Sequence, residues 1–268
     1  MYADLPLQGA TGSLGQGECL LGQPADQHAG LVFNVMRFYG LLHTIGRRLR
    51  AALVVLLALV FCAIAATDFD RLLSALTQRW GNGPVTRFQQ WRSLIAAGSA
   101  ASDTERLKRV NDFFNRQMLF VDDPENWGQA DYWATPMESL GKGAGDCEDY
   151  AIAKYFTLRE AGVAPNKLRL IYVRAKTGSG EGATFQAHMV LAYYAQPDAE
   201  PWVLDNLIGD IRPASKRPDL VPVFSFNSDG VFTASSKDGS PSAGTGRLSR
   251  WEDLLKRAVA EGFDLTPK

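Results

Sequence analysis

Cysteine and histidine are scarce in this sequence, which has three of each among 268 residues. Residues 67–268 contain a single cysteine, Cys147, and a single histidine, His188. A lone cysteine excludes a disulfide within that segment, and one cysteine with one histidine are too few ligands for a tetrahedral zinc site. Cross-linking and zinc binding are therefore excluded as roles for the two residues.

Neither sign of charge is in excess, since 28 Lys and Arg residues face 29 Asp and Glu residues, which gives a net charge of −1. Proteins that bind nucleic acids need a basic surplus to neutralise phosphates. The sequence also lacks internal repeats, and its content of 46% hydrophobic and 10% aromatic residues is typical of a folded chain. These features favour a globular protein without a nucleic-acid partner.

An apolar run at residues 51–66 follows three arginines and ends in an A-I-A triplet at residues 63–65. This layout is typical of a secretory signal peptide, and the run is shorter than the roughly 20 residues of a usual membrane span. An uncleaved anchor is the alternative. Residues 1–35 are rich in Gly and Gln, so we hypothesise that translation starts at Met36. We therefore interpret residues 1–66 as a signal peptide or N-terminal anchor, and residues 67–268 as the exported domain.

The exported segment changes its hydrophobic period from helical to strand-like after Pro165. Four helical regions are predicted. The first covers 68–98 and is broken at Gly81 and Gly83, and the second covers 103–119 with Ser102 or Asp103 as its cap. The third runs from Cys147 to Gly162, and the fourth from a capping box at Ser249 and Glu252 to Gly262. Strands are predicted over 168–174, 185–194, 202–206 and 221–227, of which the second and third form an antiparallel hairpin. Residues 121–145 and 228–246 are predicted to be loops. The order of these elements is typical of the α+β class.

Cys147 and His188 are predicted at positions that suit a catalytic nucleophile and its general base. A helix N-terminus favours a thiolate, and Gly143 and Gly145 allow close backbone approach there. His188 is expected in the middle of a strand, and Asp205 on the partner strand could accept the second imidazole N–H. The alternative is that Cys147 is a small buried apolar residue and His188 an ordinary hydrogen-bonded one.

Three segments around these residues resemble the bacterial transglutaminase-like cysteine proteinases, specifically those of LapG type. The segments are D-Y-W-A-T-P-M-E-S-L-G-K-G-A-G-D-C-E-D at 131–149, A-H-M-V-L at 187–191 and V-L-D-N at 203–206. The resemblance spans roughly residues 70–265. It implies a papain/transglutaminase-like cysteine proteinase fold, with the nucleophile at a helix N-terminus packed on an antiparallel sheet. The family's catalytic triad corresponds to Cys147, His188 and Asp205.

The resemblance also implies a function. Proteases of this type are calcium-dependent cysteine endopeptidases of the periplasm of Gram-negative bacteria. They cleave the N-terminal region of a large surface adhesin between two alanines, which releases cells from a biofilm. An inner-membrane cyclic di-GMP receptor of LapD type sequesters them. We expect the same activity, location and partners here. The alternatives are a catalytically silent binding module of the same fold and an acyl transferase of transglutaminase type.

Asp146 and Glu148 flank Cys147, and their residue types alone allow two interpretations. Acidic residues in a first helical turn complement the helix dipole. Carboxylates beside a thiol also raise the pKa of the thiol, and a bound cation would offset that effect. Calcium needs six to eight oxygen ligands, so a nearby loop with Asp122, Asp123 and Asp131 would have to contribute. The family's calcium ligands correspond to Asp146 and Glu148.

The segment before the nucleophile carries three aromatic residues, Trp127, Tyr132 and Trp133. They are candidates for a substrate groove or a partner-docking surface, and packing in the core is the alternative. The backbone N–H of Cys147 is expected to be the first donor to the oxyanion of a reacting carbonyl.

Overall fold

The computed structural model describes residues 67–178, 180–233 and 241–265. The predicted signal peptide or anchor at 1–66 lies outside these residues and stays a prediction. Across the described ranges, the longest and most apolar helices still fall short of what a bilayer crossing requires.

The described chain begins with three helices, continues through a mixed segment to a central helix, and ends with a sheet and a last helix. The helices are α1 (Phe69–Trp80), α2 (Val85–Gly98), α3 (Asp103–Gln117), α4 (Asp123–Asn126), α5 (Pro136–Lys142), α6 (Cys147–Glu160) and α7 (Ser249–Glu261). The strands are β1 (Leu119–Phe120), β2 (Ala144–Gly145), β3 (Leu168–Thr177), β4 (Thr184–Tyr193), β5 (Trp202–Leu204), β6 (Arg212–Pro213), β7 (Leu220–Phe226) and β8 (Val231–Phe232).

The three predicted N-terminal helical segments are confirmed, with their break at the glycines. The α1 helix ends at Gly81, whose φ of 67° lies in the left-handed region, and α2 begins after Pro84. Ser102 is the N-cap of α3, and its side chain accepts a hydrogen bond from the backbone N–H of Glu105. The capping alternatives at this helix are thus resolved in favour of Ser102.

The α6 helix is the centre of the molecule. Every residue from Asp149 to Arg159 is buried, including the charged Asp149, Lys154 and Arg159, so the helix is enclosed on all sides. One side of α6 packs against β4 and β3, and other sides pack against α3 and α5. A helix enclosed in this way is a rigid support for the residues at its N-terminus.

The main sheet has six strands in the order β6-β5-β4-β3-β7-β8, and all its neighbours are antiparallel. The four predicted strands are confirmed, and so is the hairpin of β4 and β5. The sheet and helices together confirm the α+β class and the predicted nucleophile helix packed on an antiparallel sheet. The β4–β5 ladder ends at the pair Leu191–Leu204, so Asp205 follows β5 directly.

The prediction of a loop over 121–145 is wrong. This segment contains α4 and α5, and β2 pairs in parallel with β1. The α5 helix begins with a capping box, in which the Thr135 side chain accepts from the Glu138 N–H and the Glu138 side chain accepts from the Thr135 N–H. Pro136 takes the first helical position. The T-P-M-E motif carries this start signal, which the many glycines and aromatics of the segment obscured.

Two further predictions need correction. The segment 228–246 is not all loop, because β8 at Val231–Phe232 pairs with β7; residues 234–240 lie outside the described ranges. The capping box predicted at Ser249 is absent from the described residues, since Leu248 is the N-cap of α7 and makes no side-chain capping bond. The carboxylate of Glu252 accepts a hydrogen bond from Thr245 Oγ1 instead. Thr245, seven residues before Glu252, thus takes the place of the predicted capping partner.

Candidate active site

Cys147 is the first residue of α6, and only Asp146 separates it from β2. Asp146 is the N-cap in an extended conformation, so the free N–H groups of the first turn lie beside the thiol. Gly143 has a φ of 68°, and a Cβ on Gly145 would lie 2.5 Å from Asp149 Oδ2. Only glycine fits both positions without strain, and together they deliver Cys147 to the helix N-terminus, as predicted.

Cys147 and His188 line one open cavity of about 390 Å³. Aromatic side chains form much of its wall, with Tyr172 stacked on Phe224 at a centroid distance of 5.5 Å. Small residues from two segments, Ala130 and Ala187, also face it. The cavity thus combines a potential nucleophile and base with an apolar surface that a peptide could contact.

His188 forms a buried pair with Asp205. The distance between His188 Nε2 and Asp205 Oδ1 is 2.8 Å, and the two residues are 3% and 2% exposed. Burial alone would raise the pKa of Asp205, but the hydrogen bond and charge of His188, the Leu207 N–H and Arg217 lower it to about 2. An ionised Asp205 at Nε2 leaves Nδ1 as the imidazole nitrogen that is free to act on another group.

The surroundings of Asp205 include three residues that sequence reasoning missed. Arg217 Nη2 donates to Asp205 Oδ2 at 2.6 Å. The backbone carbonyl of Asp205 accepts from Asn115 Nδ2 at 2.9 Å and from Lys154 Nζ at 3.1 Å. Lys154 had a usable signal, because it is the charged residue within the apolar stretch of α6. Arg217 and Asn115 have no comparable local signal.

The thiol of Cys147 donates a hydrogen bond to Glu148 Oε2 at 2.9 Å. Burial is the main cause that raises the pKa of this thiol above its ordinary value, and the charges of Glu148 and Asp146 add to the effect. A hydrogen bond from the backbone N–H of Met189 opposes it only in part. A raised thiol pKa opposes formation of the thiolate that an active nucleophile needs.

Five carboxylates form an acidic cluster beside Cys147: Asp123, Asp131, Asp146, Glu148 and Asp149. They fall into overlapping groups, among them Asp123–Asp146–Asp149 and Asp123–Asp131–Glu148, within which oxygens lie no more than 4.8 Å apart. The predicted ligands Asp146 and Glu148 are therefore together with Asp123 and Asp131, as the sequence suggested. Asp149 joins them, because it lies one helical turn after Asp146. Asp122 belongs to none of these groups within the described part of the chain.

The electrostatics of the acidic cluster fit a cation. Burial and then the charges of Glu148, Asp149 and Asp123 raise the pKa of Asp146 to about 9. Burial is also the first cause that raises the pKa of Asp123 to about 6 and that of Asp149 well above its ordinary value. Asp123 Oδ1 and Asp146 Oδ1 are buried and have no hydrogen-bond partner among the described residues. A set of oxygen donors with unsatisfied, mutually repelling carboxylates suits a hard cation such as calcium.

The three aromatic candidates occupy different places. Trp133 lines the cavity and stacks on Phe226 at a centroid distance of 5.6 Å. Trp127 and Tyr132 pack on each other at 4.8 Å and lie outside the lining of that cavity. Trp127 Nε1 contacts Asp149 Oδ2 at 3.5 Å, and Tyr132 Oη donates to Glu138. Of the three, Trp133 therefore lines the cavity that contains Cys147, while Trp127 contacts the acidic cluster and Tyr132 contacts the α5 helix. A role of these residues in substrate or partner binding stays a prediction.

Comparisons with known proteins point to one family. The family model described as bacterial transglutaminase-like cysteine proteinase, BTLCP, matches residues 91–219. Among curated proteins, none matches the chain.

Solved structures of LapG from Legionella pneumophila are similar to this chain. One has 37% sequence identity and a TM-score of 0.61, and the match covers 72% of this chain and 98% of that protein. A calcium-bound form has 39% identity and a TM-score of 0.60 over 69% and 96% of the two chains. An EGTA-treated form has 37% identity and a TM-score of 0.62 over 72% and 98%.

Proposed function

Because the chain belongs to the bacterial transglutaminase-like cysteine proteinases and is of LapG type, we propose that it is a calcium-dependent endopeptidase with Cys147, His188 and Asp205 as its catalytic triad. One observation carries the assignment: Cys147 and His188 line the same cavity, and Asp205 is hydrogen-bonded to His188 Nε2, which leaves Nδ1 as the nitrogen that can act on the thiol. Each member comes from a rigid element or its end, namely α6, β4 and β5.

The arrangement accounts for peptide hydrolysis in two steps. Cys147 Sγ attacks the scissile carbonyl, while His188 Nδ1 takes the thiol proton and returns it to the leaving amine. A water molecule, deprotonated by the same nitrogen, then hydrolyses the thioester. Asp205 keeps the proton on Nε2 and stabilises the imidazolium that forms. We assign the backbone N–H of Cys147, which is free of an intrahelical partner at the start of α6, as a donor to the developing oxyanion.

Calcium would be held by Asp146 and Glu148, with Asp123, Asp131 and Asp149 as the neighbouring oxygen donors. The fit rests on the two buried carboxylate oxygens without partners and on the raised pKa values of the cluster. Bound calcium would supply positive charge beside the thiol, opposing the carboxylate charges that raise the pKa of Cys147. Glu148 accepts a hydrogen bond from the Cys147 thiol, so it connects the acidic cluster directly to the nucleophile.

The substrate that we propose is the N-terminal region of a large surface adhesin, whose cleavage would release the adhesin and disperse a biofilm. The similarity to LapG and the open, aromatic cavity support a protein substrate. We propose the periplasm as the location, because of the signal-like pattern at 51–66, and a LapD-type cyclic di-GMP receptor as the regulatory partner.

The decisive experiment incubates the purified protein with a recombinant N-terminal adhesin fragment from the same organism, with calcium and with excess EGTA. We expect one discrete cleavage in calcium and none in EGTA, with Cys147→Ala inactive under both conditions. If the fragment instead becomes covalently linked to an added amine, the protein is an acyl transferase. Binding without either product, across several adhesin fragments, would indicate a silent binding module and would contradict the proposal.

A further inference from the structure

Arg217 is a buried charged residue that the triad does not itself require. It lies just before β7 and is 3% exposed. Its Nη2 donates to Asp205 Oδ2 at 2.6 Å and to Asp219 Oδ2 at 2.8 Å, and its Nε donates to Asp219 Oδ1 at 3.0 Å. The guanidinium therefore bridges Asp205 to Asp219, whose side chain is 35% exposed.

The hydrogen bond from Arg217 restrains Oδ2, the second carboxylate oxygen of Asp205. Oδ1 accepts from the Leu207 N–H at 3.1 Å in addition to its contact with His188 Nε2. The backbone carbonyl is held by Asn115 and Lys154. Only Oδ2 remains, and Arg217 occupies it. Rotation of the carboxylate would break the shortest of these hydrogen bonds, so Oδ1 stays directed at the imidazole.

Stability alone does not explain the placement of Arg217, because its burial also destabilises the fold. Its second terminal nitrogen, Nη1, is buried without a hydrogen-bond partner among the described residues. A buried donor without a partner destabilises a fold. Asp219, being partly exposed, could pair with a surface lysine without any buried guanidinium. The planar fork of arginine is what allows contact with two carboxylates at fixed angles.

We propose that Arg217 is a positioning residue for the Asp205–His188 pair. It holds the Asp205 carboxylate in the orientation that keeps the imidazole proton on Nε2 and leaves Nδ1 free to act on Cys147. The proposal rests on the proposed function, because a fixed tautomer matters only if His188 is the base. The charged groups that face Asp205 are Arg217 before β7, His188 on β4 and Lys154 on α6, with Asp219 on the far side of the guanidinium.

The test reads the tautomer of His188 in the resting protein and needs no substrate. The full chain is labelled with ¹⁵N-histidine, and His188→Gln identifies the signals of His188 against those of the other two histidines. In the wild type we expect one neutral tautomer, protonated at Nε2, with a slowly exchanging proton. In Arg217→Gln we expect both tautomers and a rapidly exchanging proton. With an adhesin fragment as substrate, kcat should fall about 10–100-fold while KM stays within about twofold.

Two further variants separate positioning from plain stabilisation. Arg217→Lys keeps a charge and should preserve the fold if Arg217→Gln does not, but one ammonium cannot reproduce the fork, so mixed tautomers are still expected. Arg159→Gln is the matched control, since Arg159 is 6% exposed and also has a buried Nη1 without a partner in the described chain. It should lower the melting temperature and leave the His188 signals unchanged. An unaltered Nε2 tautomer in both Arg217 variants would overturn the proposal. A wild type that shows the fixed tautomer but cuts no adhesin fragment would count against the proposed function only.

Discussion

At the scale of the residue, the environment of Cys147 contains two opposing influences. The helix N-terminus and the Met189 N–H favour a thiolate, whereas burial and the charges of Glu148 and Asp146 raise the pKa of the thiol. The thiol also donates a hydrogen bond to Glu148 Oε2, which favours its protonated form. The pKa of this thiol therefore depends on the charge carried by Glu148 and Asp146.

Replacing the nucleophile is the most direct test at this scale. Cys147→Ala should abolish cleavage of an adhesin fragment, because only the attacking sulfur is lost, and the circular dichroism spectrum should not change. His188→Ala should be as inactive, and the double variant no worse than either, since the two groups act as one unit. Cleavage that persists in Cys147→Ala would rule out the cysteine-protease mechanism for this chain.

The orienting role of Asp205 gives a second prediction. In Asp205→Asn the amide has nearly the same shape, but it can donate to Nε2 and so favour the wrong tautomer. We expect kcat to fall on the order of 10²- to 10⁴-fold with the cleavage site unchanged, as followed by mass spectrometry of the products. Wild-type kcat in this variant would move the orienting role to another residue.

At the scale of the element, the end of α7 packs on the start of α5 through buried acidic groups. Thr135 Oγ1 donates to Glu261 Oε1 at 2.9 Å. Burial first, and then the charge of Glu138, raise the pKa of Glu261 to about 7, although Thr135 and Arg257 oppose this. Because this pKa is raised on folding, the ionised form of Glu261 destabilises the packing of the two helices.

The sign of this effect predicts a stabilising substitution. Protonated Glu261 contributes fully to the stability of the fold below the unfolded pKa of about 4.5. This stability is lost as the pH rises through the folded pKa of about 7. Glu261→Gln cannot ionise, so its free energy of unfolding should exceed that of the wild type by about 1–3 kcal/mol at pH 8, and nearly equal it at pH 5. Urea unfolding at both pH values measures the difference. Glu105→Gln, at an exposed position of α3, is the control for the substitution itself. An equal gain of Glu261→Gln at pH 5 would argue against ionisation as the cause.

At the scale of the whole molecule, the acidic cluster joins parts of the chain that are distant in sequence. Asp123 belongs to α4, Asp131 to the segment before α5, and Asp146, Glu148 and Asp149 to the start of α6. Asp131 is also paired with Arg250 of α7 at 3.0 Å. A cation bound there would therefore tie the cavity wall to the nucleophile helix.

Calcium should consequently stabilise the entire fold. A ligand that binds only the folded state, at about 100 times its Kd, contributes about 2.7 kcal/mol, which corresponds to a rise of roughly 5–10 °C in Tm. We expect this shift by calorimetry in the wild type and its loss in the double variant Asp146→Asn, Glu148→Gln. Magnesium should give a smaller shift, because it prefers a compact octahedral shell and retains its waters.

Asp122→Asn provides the matched control for this measurement. Asp122 neighbours Asp123 but lies outside the acidic groups of the described chain, so the variant should keep the calcium shift. An equal Tm in calcium and in EGTA for the wild type would contradict a calcium site at the cluster, and the assignment of the triad would survive that result.

The sequence by itself determined the elements whose signals are local. The presence of a cap at Ser102 or Asp103, the glycine break after α1, the start of α6 at Cys147 and the hairpin bearing His188 follow from caps, glycines and hydrophobic period, which act over a few residues. The family resemblance added the predicted roles of Asp146 and Glu148 as calcium ligands and supported the triad role of Asp205. Those roles stay predictions, although the structure pairs Asp205 with His188 and brings Asp146 and Glu148 into one cluster.

Only the tertiary structure decided which distant groups meet. Arg217 and Asn115 reach Asp205 across the fold, and no spacing in the chain announces such a contact. Asp149 lies one helical turn after Asp146, whereas Asp123 joins both of them from α4 through the fold. The error at Ser249 is more local, because Thr245, seven residues before Glu252, donates a hydrogen bond to the Glu252 carboxylate. Local propensity contributes less to the free energy of folding than the burial and pairing of polar groups. Which polar groups are buried and paired is determined by packing between elements rather than within them.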